Sequence, residues 1–186
     1  MPPHVNRVGD VVITDPEAMR ALADPFRLAL LDRLRREGPA TEVELSSSLQ
    51  EAEVETHLRE LETFGLVSRA EEHWQAVGKG FAFEIPEDGD GQAAARELST
   101  VIMFDYADLP RRWVEDSEPR LELDWARAAG LFNARTTVTP DELRGIQKGL
   151  EHLLEPFLSR EADDAPAEAR QVRILSYFLP EPPSGS

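Results

Sequence analysis

Apolar residues in the first third of the chain recur every three to four positions, the spacing of one face of a helix. Phe26, Leu30 and Leu34 show this spacing after Asp24-Pro25, which supplies an N-cap residue and a proline at the first helical position. Such signals predict short helices that begin at 15–16 and 24–25 and span 41–49 and 51–64. The apolar residues expected to share one core are Phe26, Leu30, Leu34, Val54, Leu58 and Leu61.

Alternating apolar and polar residues follow these helices and predict a two-stranded hairpin. Its strands are 73–77 and 81–85, and Gly78-Lys79-Gly80 is the predicted turn. Residues 11–13 are expected either to pair as a short strand or to pack on a neighbouring element. The segment 86–91, rich in glycine and acidic residues, is the predicted linker to the second half of the chain.

The second half of the chain is predicted to be mostly helical, with short strands at 135–138 and 171–179. One helix is indicated by an apolar stripe from Leu98 to Trp113, and others are predicted over 123–133 and 140–159. We expect the last of these helices either to pack on the body of the protein or to form a dimer seam. Its apolar stripe consists of Leu143, Ile146, Leu150, Leu153 and Phe157.

These patterns predict an α+β, mainly α-helical protein with one domain or two small, coupled ones. The order of helices followed by a hairpin is that of a winged helix-turn-helix domain, followed here by a helical C-terminal region with one or two short strands. The expected divisions are an N-terminal arm (1–14), the winged helix-turn-helix domain (15–86), a helical dimerisation or effector region (92–180) and a disordered tail (181–186).

Composition narrows the possible functions. The chain has 186 residues, no cysteine, and 36 acidic against 20 basic residues, which gives a formal charge of −16. Without cysteine there are no disulfides, no cysteine-ligated zinc and no thiol catalysis. The negative charge argues against nucleic acid as a partner. No apolar run is long enough for a membrane helix and the start lacks a signal-peptide pattern, so we expect a cytoplasmic protein that does not enter the membrane.

Residues 15–85 nevertheless resemble the ArsR-like winged-helix transcriptional regulators of bacteria. The segments that carry the resemblance are LADPFRLALLDRLRREGPATEVELSSSL, HLRELETFGLVSR and HWQAVGKGFAFEI. With lower specificity, TPDELRGIQKGLEHLLEPF is similar to the C-terminal extension of an actinobacterial-type subgroup. The resemblance implies a regulator that binds double-stranded promoter DNA as a homodimer, with the helix at 51–64 in the major groove.

The resemblance also implies which residues contact DNA. Lys79, at the tip of the predicted turn, is the strongest candidate on the hairpin, whereas Trp74 is expected to pack beneath it. Glu53 and Glu55 stand where the family commonly has Ser, Thr or Tyr. Each carboxylate would repel a phosphate ~4 Å away by about 1 kcal/mol in water, although one could accept a hydrogen bond from cytosine N4 or interact with the helix dipole. The candidate residues are Thr41, Ser47, Glu53, Glu55, Thr56, Arg59, Arg69, His73, Gln75 and Lys79.

Two other hypotheses remain open at this point. An acidic helix at 51–64 favours a winged helix that binds a protein partner in place of DNA. A small-molecule effector could occupy a pocket in the C-terminal half, although an aromatic stripe at helical spacing is also typical of a core; its candidate residues are Phe104, Tyr106, Trp113, Trp125 and Phe132. The four histidines lack metal-ligand spacing and no catalytic motif is present, so we expect no metal, no cofactor and no enzymatic activity.

Overall fold

Capping residues fix the beginnings of the first helices. The side chain of Asp15 accepts a hydrogen bond from the Glu17 amide, and that of Asp24 accepts from the amides of Phe26 and Arg27. The computed structural model describes residues 4–50, 53–160 and 164–182. Its N-terminal elements are β1 (Asp10–Ile13), α1 (Pro16–Leu22), α2 (Pro25–Glu37), α3 (Glu42–Leu49) and α4 (Val54–Thr63).

The strands pair differently from the prediction. β2 (Val67–Ala70) and β3 (His73–Ala76) form an antiparallel hairpin, whereas β4 (Gly80–Phe83) pairs in parallel with β1. The predicted hairpin between 73–77 and 81–85 is therefore wrong.

Gly78-Lys79-Gly80 redirects the chain toward β1 instead of closing a hairpin. The Lys79 amide donates to the Gly9 carbonyl at 2.7 Å. Gly78 has φ +73, and a Cβ atom there would lie 2.7 Å from the Gly9 oxygen, so both the conformation and the close approach require glycine. The strand considered for residues 11–13 is present as part of β1.

The core is formed by the faces that the helical spacing predicted. Leu30, Leu34, Leu58 and Leu61 are buried, and Phe26 packs against them while partly exposed. Val54 and the indole of Trp74 complete the same cluster, so the predicted shared core and the buried position of the tryptophan are confirmed. The helix predicted from residue 51 begins at Val54; residues 51–52 lie outside the described part of the chain.

The next helix, α5 (Gly89–Tyr106), begins inside the segment predicted as a linker. Asp88 caps it by accepting from the Gly91 amide, and a Cβ atom at Gly91 would lie 2.4 Å from Cβ of Pro86. Ala94, Ala95 and Leu98 on α5 join the core that contains α1 and α2. The first half of α5 is thus continuous with the N-terminal core.

The remaining elements have no fully buried residue, and all except the last are short. They are α6 (Leu109–Arg112), a π-helical turn (Trp113–Ser117), a 3₁₀ turn (Glu118–Arg120), α7 (Leu123–Ala128) and α8 (Pro140–Leu158). The predicted helix over 123–133 ends at Ala128, and the stripe from Leu98 to Trp113 is interrupted after Tyr106.

The strands predicted at 135–138 and 171–179 are wrong, because neither segment pairs its backbone with a strand. The final described segment, 164–182, instead meets the rest of the chain through ion pairs such as Arg173–Asp32 and Arg135–Glu181. Residues 183–186, most of the tail predicted to be disordered, lie outside the described part. The protein is α+β and mainly helical, as predicted, and no helix among the described residues is long and apolar enough to span a membrane.

Replacement of Leu58 by Ala tests the phase of α4. Leu58 is fully buried, so Leu58→Ala should lower the free energy of unfolding by about 2–5 kcal/mol through a cavity in the core. Chemical denaturation followed by circular dichroism measures the change. Val43→Ala, at an exposed position on α3, is the control and should change stability by less than about 0.5 kcal/mol. A loss below roughly 1 kcal/mol for Leu58→Ala would contradict the orientation of α4.

Candidate functional site

Helix α4 is oriented by its buried side. Val54, Leu58 and Leu61 face the core, which leaves Glu55 and Arg59 among the residues exposed on the opposite side. α3, which precedes it, starts at a capping box between Thr41 and Glu44 and ends at Gln50, which is left-handed with φ 56. The outer side of α4 is exposed to solvent.

The β2–β3 hairpin is fixed beside α3 by Trp74. Its backbone exchanges hydrogen bonds with Ala40 at 3.0 and 2.8 Å, and its indole Nε1 donates to Oε1 of Glu42 at 3.0 Å. The hairpin therefore lies next to the outer side of α4. We refer to the exposed residues of α4 and of the hairpin together as the α4–hairpin surface: Glu55, Thr56, Arg59, Glu60, Thr63, Arg69, Glu71, Glu72, His73 and Gln75.

Both arginines of this surface are engaged by carboxylates and by the same aromatic ring. Nη2 of Arg59 lies 3.4 Å from Oε1 of Glu55, and its Nη1 lies 3.3 Å from Oε2 of Glu62. Arg69 lies 3.8 Å from Glu42. Their guanidinium carbons sit 5.6 and 5.5 Å from the Trp74 ring centroid, within cation–π range. A ligand that needs these cations must compete with exposed ion pairs, each worth about 0.2–1 kcal/mol.

The surface is strongly acidic. Residues 41–76 include nine glutamates and two arginines. The tip of the hairpin is Glu71-Glu72, and Glu71 adopts φ 56. The sequence prediction placed a lysine at the tip; the actual strand register replaces it with two carboxylates.

Lys79 lies away from the hairpin tip. Its Nζ donates to the backbone carbonyl of Leu158 at 2.7 Å, next to the end of α8. It also lines a shallow cavity of about 310 Å³ with Arg35, Gln75 and other residues. The prediction of Lys79 as a residue at the hairpin tip is wrong because the hairpin itself was misassigned.

The remaining candidate DNA contacts fall into two groups. Glu55, Thr56, Arg59, Arg69, His73 and Gln75 come together on the α4–hairpin surface, with Glu53 directly before α4. The Thr41 hydroxyl is hydrogen-bonded to Glu44 in the capping box of α3, whereas Ser47 is exposed on the same helix. Sequence reasoning missed Glu42, which joins Trp74 to Arg69.

The aromatic residues proposed for an effector pocket are dispersed. Phe104 and Phe132 are exposed, while Tyr106 and Trp125 are half-buried beneath Arg173 and Arg170, respectively. Trp113 is half-buried in the π-helical turn. Burial raises the pKa of Tyr106. The cavities described in the chain, of about 310 and 300 Å³, are not lined by these aromatic residues, and the described residues contain no cluster of histidines and carboxylates that could hold a metal.

Comparison with known proteins adds no assignment: no model of a protein family matches the chain, and no curated protein matches it.

The capping box at the start of α3 predicts a specific dependence on pH. The carboxylate of Glu44 accepts from the Thr41 amide and hydroxyl, which lowers its pKa below the ordinary value of 4.5. Its stabilising effect is therefore complete above that value and is lost as the pH falls through the lowered pKa. Glu44→Ala should reduce the free energy of unfolding at pH 7, and this deficit should shrink as the pH falls below 4.5 and through the lowered pKa of Glu44. Glu97→Ala, at an exposed position on α5, is the control. A deficit that stays constant with pH would rule out this role for Glu44.

Proposed function

We propose that the protein is a DNA-binding transcriptional regulator of the ArsR-like winged helix-turn-helix type that binds promoter DNA as a homodimer. The observation that carries the proposal is the arrangement of α3, α4 and the β2–β3 hairpin on α2. In it, α4 has one fully buried side and one exposed side, and the hairpin follows it directly and lies beside it. These are the parts that a winged-helix domain uses on DNA.

The size of α4 supports its role as the reading helix. Its ten residues make a rod about 15 Å long, and the diameter of a helix with its side chains, about 10–12 Å, fits a major groove about 12 Å wide. Thr56 and Thr63 provide hydroxyls on the exposed side, and Arg59 provides a guanidinium between them. A guanidinium at that place can donate two hydrogen bonds to guanine O6 and N7, which is worth about 1–3 kcal/mol of discrimination.

The acidic residues limit the affinity of this interaction. Glu55 and Glu62 hold Arg59, so DNA must displace them before the guanidinium reaches a base. Any carboxylate that remains ~4 Å from a phosphate costs about 1 kcal/mol in water and more near the protein. A homodimer supplies the reading helix twice, and half-sites one turn apart then add their contacts.

Replacement of Glu55 by the uncharged glutamine tests whether α4 enters the major groove. Glu55→Gln keeps the size of the side chain, removes its repulsion of phosphates and weakens its hold on Arg59. We expect non-specific DNA affinity to increase several-fold, by about 0.5–1.5 kcal/mol, at ~0.1 M salt. Fluorescence anisotropy with a labelled duplex measures it. Glu97→Gln, with the same charge change on α5, should leave binding unchanged. Equal effects of the two substitutions would indicate only a change in net charge.

Removal of the guanidinium should have the opposite effect. Arg59→Ala should weaken DNA binding and reduce the salt dependence by about one counterion. Genome-wide co-precipitation of DNA supplies the natural sequences for this measurement. Wild-type protein that binds no genomic fragment below tens of micromolar, together with substitutions that change nothing, would refute DNA binding.

A second candidate function is the docking of a basic protein on the same surface. It is favoured by a specific observation: the hairpin tip carries Glu71-Glu72, and Arg59 and Arg69 are already engaged by carboxylates. The direction in which Arg59→Ala changes the affinity distinguishes the two functions. The substitution makes the surface more acidic, which should weaken the binding of DNA and strengthen the binding of a basic protein.

A lysine-rich peptide, titrated in a calorimeter at low salt, can probe the docking function. If the surface docks a basic protein, Arg59→Ala should strengthen peptide binding, and Glu71→Gln with Glu72→Gln should weaken it by more than two substitutions elsewhere. Glu97→Gln combined with Glu87→Gln is the matched control, since both residues are exposed and lie outside the α4–hairpin surface. Equal effects of the two pairs would argue against a docking site at the hairpin tip.

A further inference from the structure

Four arginines in the described part of the chain are partly buried, and one of them has no carboxylate in contact. Arg20, Arg27 and Arg33 each pair with a carboxylate, at 2.5, 3.7 and 2.8 Å, respectively. Arg35, on α2, forms no ion pair with a described residue. Its Nη2 donates to the Gly80 carbonyl at 3.1 Å, and its buried Nε has no hydrogen-bond partner among the described residues.

The guanidinium of Arg35 is therefore a partly buried charge without a counter-ion in contact. Its carbon lies 5.5 Å from the ring centroid of Phe81. Burial lowers the pKa of Arg35, and the more distant charges of Asp10 and Asp32 compensate only in part. An arginine stays protonated in a protein, and a buried charge costs free energy unless it is paired. An anion that reached Arg35 would thus meet a cation that has already lost part of its hydration.

Arg35 borders the shallow cavity of about 310 Å³, which we call the Arg35 cavity. This volume is at the lower end of the range of small-molecule sites, about 300–1,000 Å³. Lys79 provides a second cation in its lining, and no lining residue is acidic although the chain has 36 acidic residues. The apolar part of the lining consists of Leu34, Pro39 and Ala76.

We propose that the Arg35 cavity binds a small organic carboxylate. The carboxylate accepts from Arg35 and Lys79, and the apolar body of the ligand lies against Leu34, Pro39 and Ala76. Hydrogen bonds between ionised groups are about twice as strong as neutral ones, so the ligand competes with the Leu158 carbonyl for the Lys79 ammonium. A free phosphate ion would leave the apolar part of the lining in contact with water.

This inference does not rest on DNA binding, because only Gln75 belongs to both the cavity and the α4–hairpin surface. Benzoate is the probe, titrated into the isotope-labelled full chain and followed by NMR at the amides of Gly78 and Gly80 and the side-chain amide of Gln75. We expect saturable shifts at these groups in the millimolar range or tighter. Benzamide, which has the same shape without the charge, should bind at least about tenfold more weakly.

Replacement of the two cations tests their roles. Arg35→Met keeps an unbranched apolar side chain, removes the guanidinium and should raise the dissociation constant of benzoate at least about tenfold. Arg36→Met is the matched control: it makes the same charge change at the next, exposed residue of α2, and Asp32 stays paired with Arg173. It should leave benzoate binding unchanged.

Lys79→Met supplies a second variant, since the hydrogen bond from its backbone amide to Gly9 is retained. It should weaken benzoate binding several-fold, and circular dichroism shows whether each variant is folded. Equal binding of benzoate and benzamide, or equal effects of Arg35→Met and Arg36→Met, would overturn the role of Arg35. Absence of shifts with millimolar benzoate would overturn the site. Shifts caused at the same residues by inorganic phosphate but not by benzoate would overturn the organic acid as its ligand.

Discussion

The burial of Trp74 is the contact on which the candidate site depends. The indole is fully enclosed, its Nε1 is bonded to Glu42, and its backbone pairs with Ala40. It thereby joins the hairpin to the start of α3, while Arg59 from α4 and Arg69 from the hairpin lie near the same ring. Loss of a buried aromatic side chain costs about 3–5 kcal/mol. One residue thus contributes both to the stability of the core and to the position of both cations on the surface.

This arrangement has an electrostatic consequence. The two arginines near Trp74 are paired with Glu42, Glu55 and Glu62, so they do not offset the acidic character of the exposed surface. The exposed ion pairs of Arg59 are individually weak, about 0.2–1 kcal/mol. A bidentate contact with guanine is worth about 1–3 kcal/mol. Under the proposed function, a guanine contact therefore outweighs each single ion pair of Arg59, whereas a contact with a phosphate alone does not.

The sequence predicted the elements that are determined locally and failed where distant segments pair. Helix starts at Asp24 and Thr41 follow from side chains within three residues, and the buried positions of α4 follow from helical spacing. The pairing of β4 with β1, which the hydrogen bond from the Lys79 amide to the Gly9 carbonyl adjoins, joins segments about 70 residues apart and is indicated by no local pattern. Gly78-Lys79-Gly80 was correctly predicted to contain a glycine with positive φ. This glycine, however, allows the chain to approach Gly9 closely and does not close a hairpin. The true hairpin turns at Glu71, a residue without the usual turn preference for φ above zero.

The same distinction explains which site residues were found. Glu55, Thr56 and Arg59 follow from the phase of α4, so the sequence places them together on one side. The position of Lys79 depends on which strands pair. The predicted pairing placed it at the hairpin tip, whereas the observed pairing places it next to the end of α8.

Salt acts differently on the charged residues of the protein and on the exposed apolar side chains of α8. Each copy carries a formal charge of −16, so two copies repel one another at long range, as the protein repels DNA. Salt of ~0.15 M screens charges over about 8 Å, which reduces that repulsion but does not weaken contacts made by apolar side chains such as the exposed Ile146, Leu153 and Phe157. DNA binding responds in the opposite direction, because salt weakens attraction between cations and phosphates. Under the proposed function, apolar contacts between two copies therefore keep their strength at salt concentrations where the attraction of Arg59 and Arg69 to phosphates weakens.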